Sequence, residues 1–164
     1  MKVIQAKNDD LENIMTIIAN ARTLMRNNGN ATQWINGYPS KEIITKDIEK
    51  QEAFIICENN EILGYFAFSK GNDPEPTYNE IEEGKWLNML PYGVVHRLAT
   101  SGKRKGIAKT CFNYCFTKTN NIKVDTHLDN LPMKRFFENY GFTYCGTIFV
   151  ADGSPRTAYQ KHNL

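Results

Sequence analysis

His96 and the run Lys103-Arg104-Lys105-Gly106 are the residues whose types and order suit chemistry. An imidazole that titrates near its usual value of about 6.5 takes up a proton at neutral pH. Successive cations ahead of a glycine suit an anion instead. If the glycine opens a helix, the first N–H groups of that helix have no internal partners and lie at the positive end of its dipole. Such a turn takes a phosphate or pyrophosphate. The plainer alternative is that a basic turn between two elements is only a solvated connection.

Residues 92–99, Tyr-Gly-Val-Val-His-Arg-Leu-Ala, are aromatic and β-branched enough to form a strand. The turn then covers 100–105. From Gly106 a helix is expected, because Ile107, Cys111, Phe112, Cys115 and Phe116 recur on one face while Lys109, Asn113 and Lys118 occupy the other. Gly102 and Gly106 stand one residue too close for a P-loop, with Ile107-Ala108 where Lys-Ser is required, and no G-x-G-x-x-G is present.

The surrounding chain has 164 residues and 41% hydrophobic content, which suits a single domain over 1–164. A net charge of +2 is too mild for dedicated nucleic-acid binding and points to a small anionic ligand. Neither a signal-peptide core nor a membrane span is legible, so a cytoplasmic protein without membrane partners is expected. Cys57, Cys111, Cys115 and Cys145 lack the close pairing of zinc sites, and no metal is expected.

Taken in order, 3–7 reads as a strand. Asp9 and Glu12 have capping-box spacing ahead of a helix striped by Leu11, Ile14, Met15, Ile18, Ala21 and Met25. An aromatic loop over 33–39 is either a plug on the core or the wall of a substrate cleft, and Trp34 and Tyr38 are its candidate acceptor contacts. Ser40 caps a helix bearing Ile43, Ile44 and Ile48. Two strands over 53–58 and 61–69 flank Asn59-Asn60, a hairpin connection. The polar excursion over 70–90 contains an expected short strand at 78–81, with Trp86 as its anchor. A strand over 122–127 leads to Asn130, which caps a helix with Pro132 in its first turn. Met133, Phe136, Phe137 and Tyr140 form that helix's expected buried face, and Gly141 ends it. Strands over 142–150 and 156–161 close the chain as a hairpin around Asp152-Gly153-Ser154-Pro155.

Lys103-x-x-Gly106-x-Ala108 resembles the [RQ]-x-x-G-x-[GA] acyl-CoA signature of the GNAT superfamily of N-acetyltransferases, with Lys replacing Arg or Gln. The stretch 124–130 followed by Phe136-Phe137-Glu138-Asn139-Tyr140-Gly141-Phe142 is similar to the family's D-T-x-x-x-N and Y-E-K-x-G-F pair. The 34–39 loop and the 152–159 ending also resemble bacterial members, so the likeness covers essentially the whole chain. It implies an α/β (α+β) fold: a mixed central sheet of six or seven strands, flanked by four helices and splayed after the fourth strand. It also implies acetyl-CoA as co-substrate. The pantetheine arm would lie along 95–100, with Leu98, Ala99 and Thr100 in contact. Lys103, Arg104, Lys105, Gly106, Ile107 and Ala108 would hold the pyrophosphate, and Asn130 and Phe137 would reach the cofactor from the later junction. The segment between the strand and Lys103 is about two residues shorter than the family's pattern.

The function this resemblance implies is acetyl transfer to a primary amine, of a small molecule or a peptide, by direct attack in a ternary complex. The protein would act as a monomer or homodimer. His96 is the candidate base, against the ordinary reading of a packed, hydrogen-bonded strand histidine, and Glu80, Glu82 and Glu83 come next. Phe137 stands where the family's tyrosine acid is expected, which leaves Tyr140 as the substitute and also raises the alternative of an acyl-CoA-binding module without catalysis.

Overall fold

The computed structural model describes residues 1–164. Its elements are β1 (Lys2–Gln5), α1 (Leu11–Asn27), α2 (Lys41–Glu49), β2 (Ala53–Glu58), β3 (Glu61–Gly71), β4 (Tyr92–Thr100), α3 (Ile107–Phe116), β5 (Asn121–Thr126), α4 (Leu131–Tyr140), β6 (Thr143–Phe149) and β7 (Pro155–His162). The sheet runs β1-β2-β3-β4-β5-β7-β6. It is mixed: β4 and β5 are parallel through Gly93↔Ile122 and Val94↔Lys123, whereas β1–β2, β2–β3, β5–β7 and β6–β7 are antiparallel. The expected fold class, a mixed sheet with four helices, is therefore the observed one. No helix is long and apolar enough to cross a membrane.

The chain divides into two compact units, Met1–Phe68 with Val95–Cys115 and Ser69–Val94 with Phe116–Leu164. In the first, Ile14, Ile18 and Ala21 of α1 and Ile44 of α2 form a core with Ala53 and Ile55 of β2, Tyr65 of β3 and Ala99 of β4. Strand side chains alternate between faces. Phe54 and Phe66 thus lie on the opposite face, where Tyr114 of α3 meets Phe54 with ring centroids 5.3 Å apart. Asn59 and Asn60 take φ of 51° and 65°, the paired left-handed residues of a tight hairpin turn. The start of α1 departs from expectation. Asp9 and Glu12 form no capping box: the Asp10 carboxylate accepts the Lys7 N–H at 2.8 Å and closes a 3-10 turn over Asn8–Asp10, which leads into α1 without a side-chain cap on the helix itself.

In the second unit, the strand expected at 78–81 is replaced by a 3-10 turn over Pro76–Asn79. The physical reason is the Glu75 carboxylate, which accepts from the Thr77 N–H at 3.3 Å and the Thr77 hydroxyl at 2.7 Å and winds the backbone there. Pairing with β6 begins only at Glu82, opposite Thr147. Trp86 is the anchor of the excursion: it is buried, and its indole N–H donates to the Tyr78 carbonyl at 2.7 Å. Gly84 lets this segment lie against β6, since a Cβ there would sit 1.9 Å from the Cys145 carbonyl oxygen.

Lys123 of β5 is 4% exposed and holds its ammonium 4.5 Å from the Trp86 ring centre and 4.3 Å from that of Tyr92. Burial pushes its pKa below the ordinary lysine value, with Cys145 and Asp73 opposing. Between the folded and unfolded pKa values the unfolded chain holds a proton that the folded protein has released, so this group makes stability rise with pH. Lys123→Met should remove that rise, measured as the difference between the two proteins' urea midpoints from pH 8 to pH 10.5. An identical pH profile in the variant would count against it.

Candidate active site

The turn after β4 is built by local hydrogen bonds. The Ser101 N–H donates to the Leu63 carbonyl at 2.9 Å, which ties the turn to β3. Gly102 N–H donates to the Thr100 hydroxyl at 3.2 Å and Lys103 N–H to the Ser101 hydroxyl at 3.3 Å. Gly106, at φ 88°, is the N-cap of α3, and its carbonyl accepts from Thr110 N–H at 2.9 Å. The amides of Ile107, Ala108 and Lys109 therefore head the helix with no carbonyl one turn behind them. Gly64 allows this end to rest on the sheet, because a Cβ there would meet Ile107 Cγ2 at 2.6 Å and the Ala99 carbonyl at 3.1 Å.

Two of the three cations already face carboxylates of the β2–β3 hairpin: Lys103 pairs with Glu61, and Arg104 with Glu58 at 3.1 Å. Both are solvent-facing pairs of small net strength. Lys105 is exposed.

β4 carries His96, Leu98 and Thr100 half-buried, with Ala99 buried in the α1/α2 core. Its backbone kinks beside His96: Arg97 has φ 54°, a left-handed value inside a strand and the mark of a bulge. The Arg97 guanidinium grips Asp47 of α2, Nε to Oδ2 at 2.8 Å and Nη2 to Oδ1 at 2.6 Å. The Tyr65 hydroxyl donates to the same carboxylate at 2.6 Å. Burial and then the Asp47 charge push the Tyr65 pKa up. Burial works against the Arg97 charge, but the hydrogen bonds to Asp47 together with the Tyr38 and Asp47 charges and the Tyr38 hydrogen bond outweigh it and raise the Arg97 pKa.

Trp34 is buried within the α1/α2 core, whereas Tyr38 is exposed, edge-on to Trp34 at 6.4 Å, and its hydroxyl accepts from Arg97 Nη1 at 3.3 Å. The first unit thus brings the Tyr38 hydroxyl to Arg97 of β4. Asp47, Tyr65 and Arg97 were not singled out in the sequence. One signal was there for Asp47: a carboxylate on the apolar stripe of Ile44 and Ile48.

The second unit holds the remaining candidates. Asn130 caps α4, its side-chain oxygen accepting Met133 N–H at 3.3 Å, and Gly141 ends the helix at φ 97°. Of the expected buried face of α4 only Phe137 is fully buried, while Met133, Phe136 and Tyr140 are half-buried. Phe137 is 2% exposed and lies 5.3 Å from Phe142 and 5.2 Å from Tyr159, ring centre to ring centre. Phe137→Tyr should therefore lower stability by about 1–3 kcal/mol, because the added hydroxyl enters an aromatic core. Thermal melting measures it, and an unchanged Tm would mean that the hydroxyl finds a partner. Tyr140 stacks on Phe136 at 5.4 Å, and its carbonyl accepts from Lys161 at 2.9 Å. His127 accepts the Asp129 N–H on Nδ1 at 3.0 Å, so its neutral ring carries its proton on Nε2. Burial and Arg156 lower its pKa, with Asp129 opposing. Cys111 and Cys115 sit on the buried face of α3, where burial raises the Cys111 pKa. No group of three or more His, Cys, Asp or Glu side chains is placed to hold a metal ion.

Among solved structures, the chain is similar to an acetyltransferase of the GNAT family from Streptococcus agalactiae 2603, with 30% identity and a TM-score of 0.88 over 99% of this chain and 95% of that one. The chain belongs to the GNAT family of acetyltransferases. A putative acetyltransferase from Staphylococcus aureus Mu50 is 27% identical, with a TM-score of 0.71 over 99% of both chains. A GNAT-family acetyltransferase from Listeria monocytogenes 4b F2365 shares the fold at 20% identity and a TM-score of 0.68, over 98% of this chain and 94% of that one. No sequence-family profile and no curated protein matches the chain. Within the GNAT fold, the strand-turn-helix made by β4, the basic turn and α3 is the element that the acyl-CoA signature marked in the sequence.

Proposed function

We propose that this GNAT protein is an N-acetyltransferase that moves an acetyl group from acetyl-CoA to a primary amine by direct attack in a ternary complex, with residues 1–164 acting as one catalytic domain. The observation that carries this reading is the glycine-capped, cation-bearing N-terminus of α3, set directly after a kinked β4. Its donor set, several backbone amides with Lys103, Arg104 and Lys105, suits a pyrophosphate in both charge and geometry. The amides of residues 104–108 would hold that group, Leu98, Ala99 and Thr100 the pantetheine arm, and Asn130 a later cofactor contact, whereas Phe137, expected to reach the cofactor, is buried among aromatic rings. Acetyl-CoA, when bound, supplies the activated acetyl thioester.

His96 is the proposed base. An ammonium has no lone pair to give, so a proton must leave the acceptor before attack, and the imidazole stands on β4 next to the kink at Arg97. A thiol of pKa near 8.5 departs as thiolate without an obligatory acid, so phenylalanine at 137 is compatible with transfer. Tyr140, one helical turn further on, is the substitute acid. Trp34 and Tyr38 shape the acceptor side, Trp34 as the fixed base of the loop and Tyr38 as its exposed edge.

Phenylalanine at 137, where the family carries a tyrosine acid, favours a second reading, an acyl-CoA-binding module without turnover. Calorimetric titration with acetyl-CoA, followed by thiol release in the presence of amino acids, polyamines, aminoglycosides and lysine peptides, separates the two. Binding with amine-dependent release is expected. Binding without release by any amine would leave the second reading, and absence of binding would end both.

A further inference from the structure

Asp47 places a carboxylate on the apolar stripe of α2 and is 4% exposed. A buried charge needs partners, and Asp47 has three hydrogen bonds, two from Arg97 and one from Tyr65. Stability alone is a weak reason to keep such a pair, because well-packed apolar residues of similar volume often replace one at no loss. What this pair does is act on backbone. Arg97 is a non-glycine residue at φ 54° within a strand, a conformation that L residues keep only where the surroundings enforce it. The remaining guanidinium nitrogen, Nη1, donates to the Tyr38 hydroxyl at 3.3 Å. One buried carboxylate thereby fixes both the kink of β4 and the exposed edge of the aromatic loop.

We propose that Asp47 is a positioning residue for acetyl transfer: its forked pair with Arg97 latches β4 in the left-handed kink that follows His96, and the same guanidinium holds the Tyr38 hydroxyl. The inference rests on the acetyltransferase reading above. Without the latch the strand relaxes toward extended backbone, and the direction of its amides and of His96 changes. A misplacement on the order of 1 Å at reacting groups lowers turnover by about 10²-fold.

Removing Asp47 alone would leave a half-buried guanidinium without its counter-charge and strongly destabilise the chain, so the test replaces the whole cluster. One variant carries Asp47→Leu, Tyr65→Phe and Arg97→Met, and the other carries Asp47→Leu, Tyr65→Phe and Arg97→Gly. Glycine keeps a left-handed φ without a latch, and methionine does not. The probe is acetyl-CoA with the amine mixture used above, read as thiol release, together with melting curves and a crystal structure of each variant. The methionine variant should fold, lose about 10–100-fold in kcat with KM for acetyl-CoA little changed, and show residue 97 extended. The glycine variant should recover at least about tenfold of that loss and keep residue 97 left-handed. Equal kcat in the two variants, or a left-handed residue 97 in the methionine variant, overturns the proposal. If the wild-type chain releases no thiol with any amine, the transfer reading fails by itself, and the two crystal structures still decide whether the latch holds the kink.

Discussion

His96→Gln should lower turnover by about 10²–10⁴-fold while leaving acetyl-CoA affinity close to that of the wild type. Glutamine keeps much of the imidazole's size and hydrogen-bonding capacity but cannot take up a proton near neutral pH, so the substitution removes the proposed chemistry more than the packing. Affinity should persist because the proposed cofactor contacts are backbone amides of the turn and the cations beyond it. His96 is half-buried on β4, immediately before the left-handed residue Arg97. In the wild type, log kcat/KM should climb with pH and then level off as the base loses its proton, and the glutamine variant should lose the climb. A histidine that serves only to pack and bond within the sheet gives the opposite pair of results, a lower Tm with turnover per folded molecule unchanged. That outcome would move the search for the base to Glu80, Glu82 and Glu83.

Gly106→Glu should weaken acetyl-CoA binding by about 10²-fold, from two separable causes. The first is backbone. Gly106 caps α3 at φ 88°, where any L residue is strained, so a side chain turns the helix's leading amides away from their common point. The second is charge, since a carboxylate at that point repels phosphate at short range. Crowding adds little, because a Cβ on Gly106 would meet only the Met1 methyl, at 3.5 Å. Gly106→Ala therefore isolates the backbone cause and should show the smaller loss of the two. Calorimetric titration of both variants against acetyl-CoA measures the difference, and wild-type affinity in Gly106→Glu would remove this turn from the cofactor site. The paired cations add a salt dependence. Lys103 and Arg104 are shared between Glu61, Glu58 and an incoming anion, so affinity should fall as ionic strength rises.

Local chemistry made much of this molecule legible before any coordinates. The order of strands and helices follows from apolar spacing. Asn59-Asn60 dictates a hairpin because both residues tolerate left-handed backbone, as their φ values of 51° and 65° bear out. Asn130 and Gly141 bound α4 because one supplies a capping oxygen and the other a left-handed stop. Gly106 marks the head of α3 for the same kind of reason. Each of these depends on a residue and its near neighbours in sequence.

What only the tertiary structure decided are the pairings between residues far apart in the chain. Arg97 meets Asp47 across fifty positions and Tyr38 across fifty-nine, and neither partner can be chosen by periodicity. The same holds for the cations of the turn, which read as open charges in sequence and prove to face Glu58 and Glu61 of a hairpin. The 3-10 turn that replaces the strand expected at 78–81 is, by contrast, local: the Glu75 carboxylate accepts from Thr77, two residues on, and competes for the backbone there. Phe137 is legible in sequence as a departure from a tyrosine, with Phe142 close behind it, but the Tyr159 ring that packs on it comes from β7, which the α4 sequence does not specify. Helical and strand periods tell which way a side chain faces; which charge or ring waits there is set by how the elements come together.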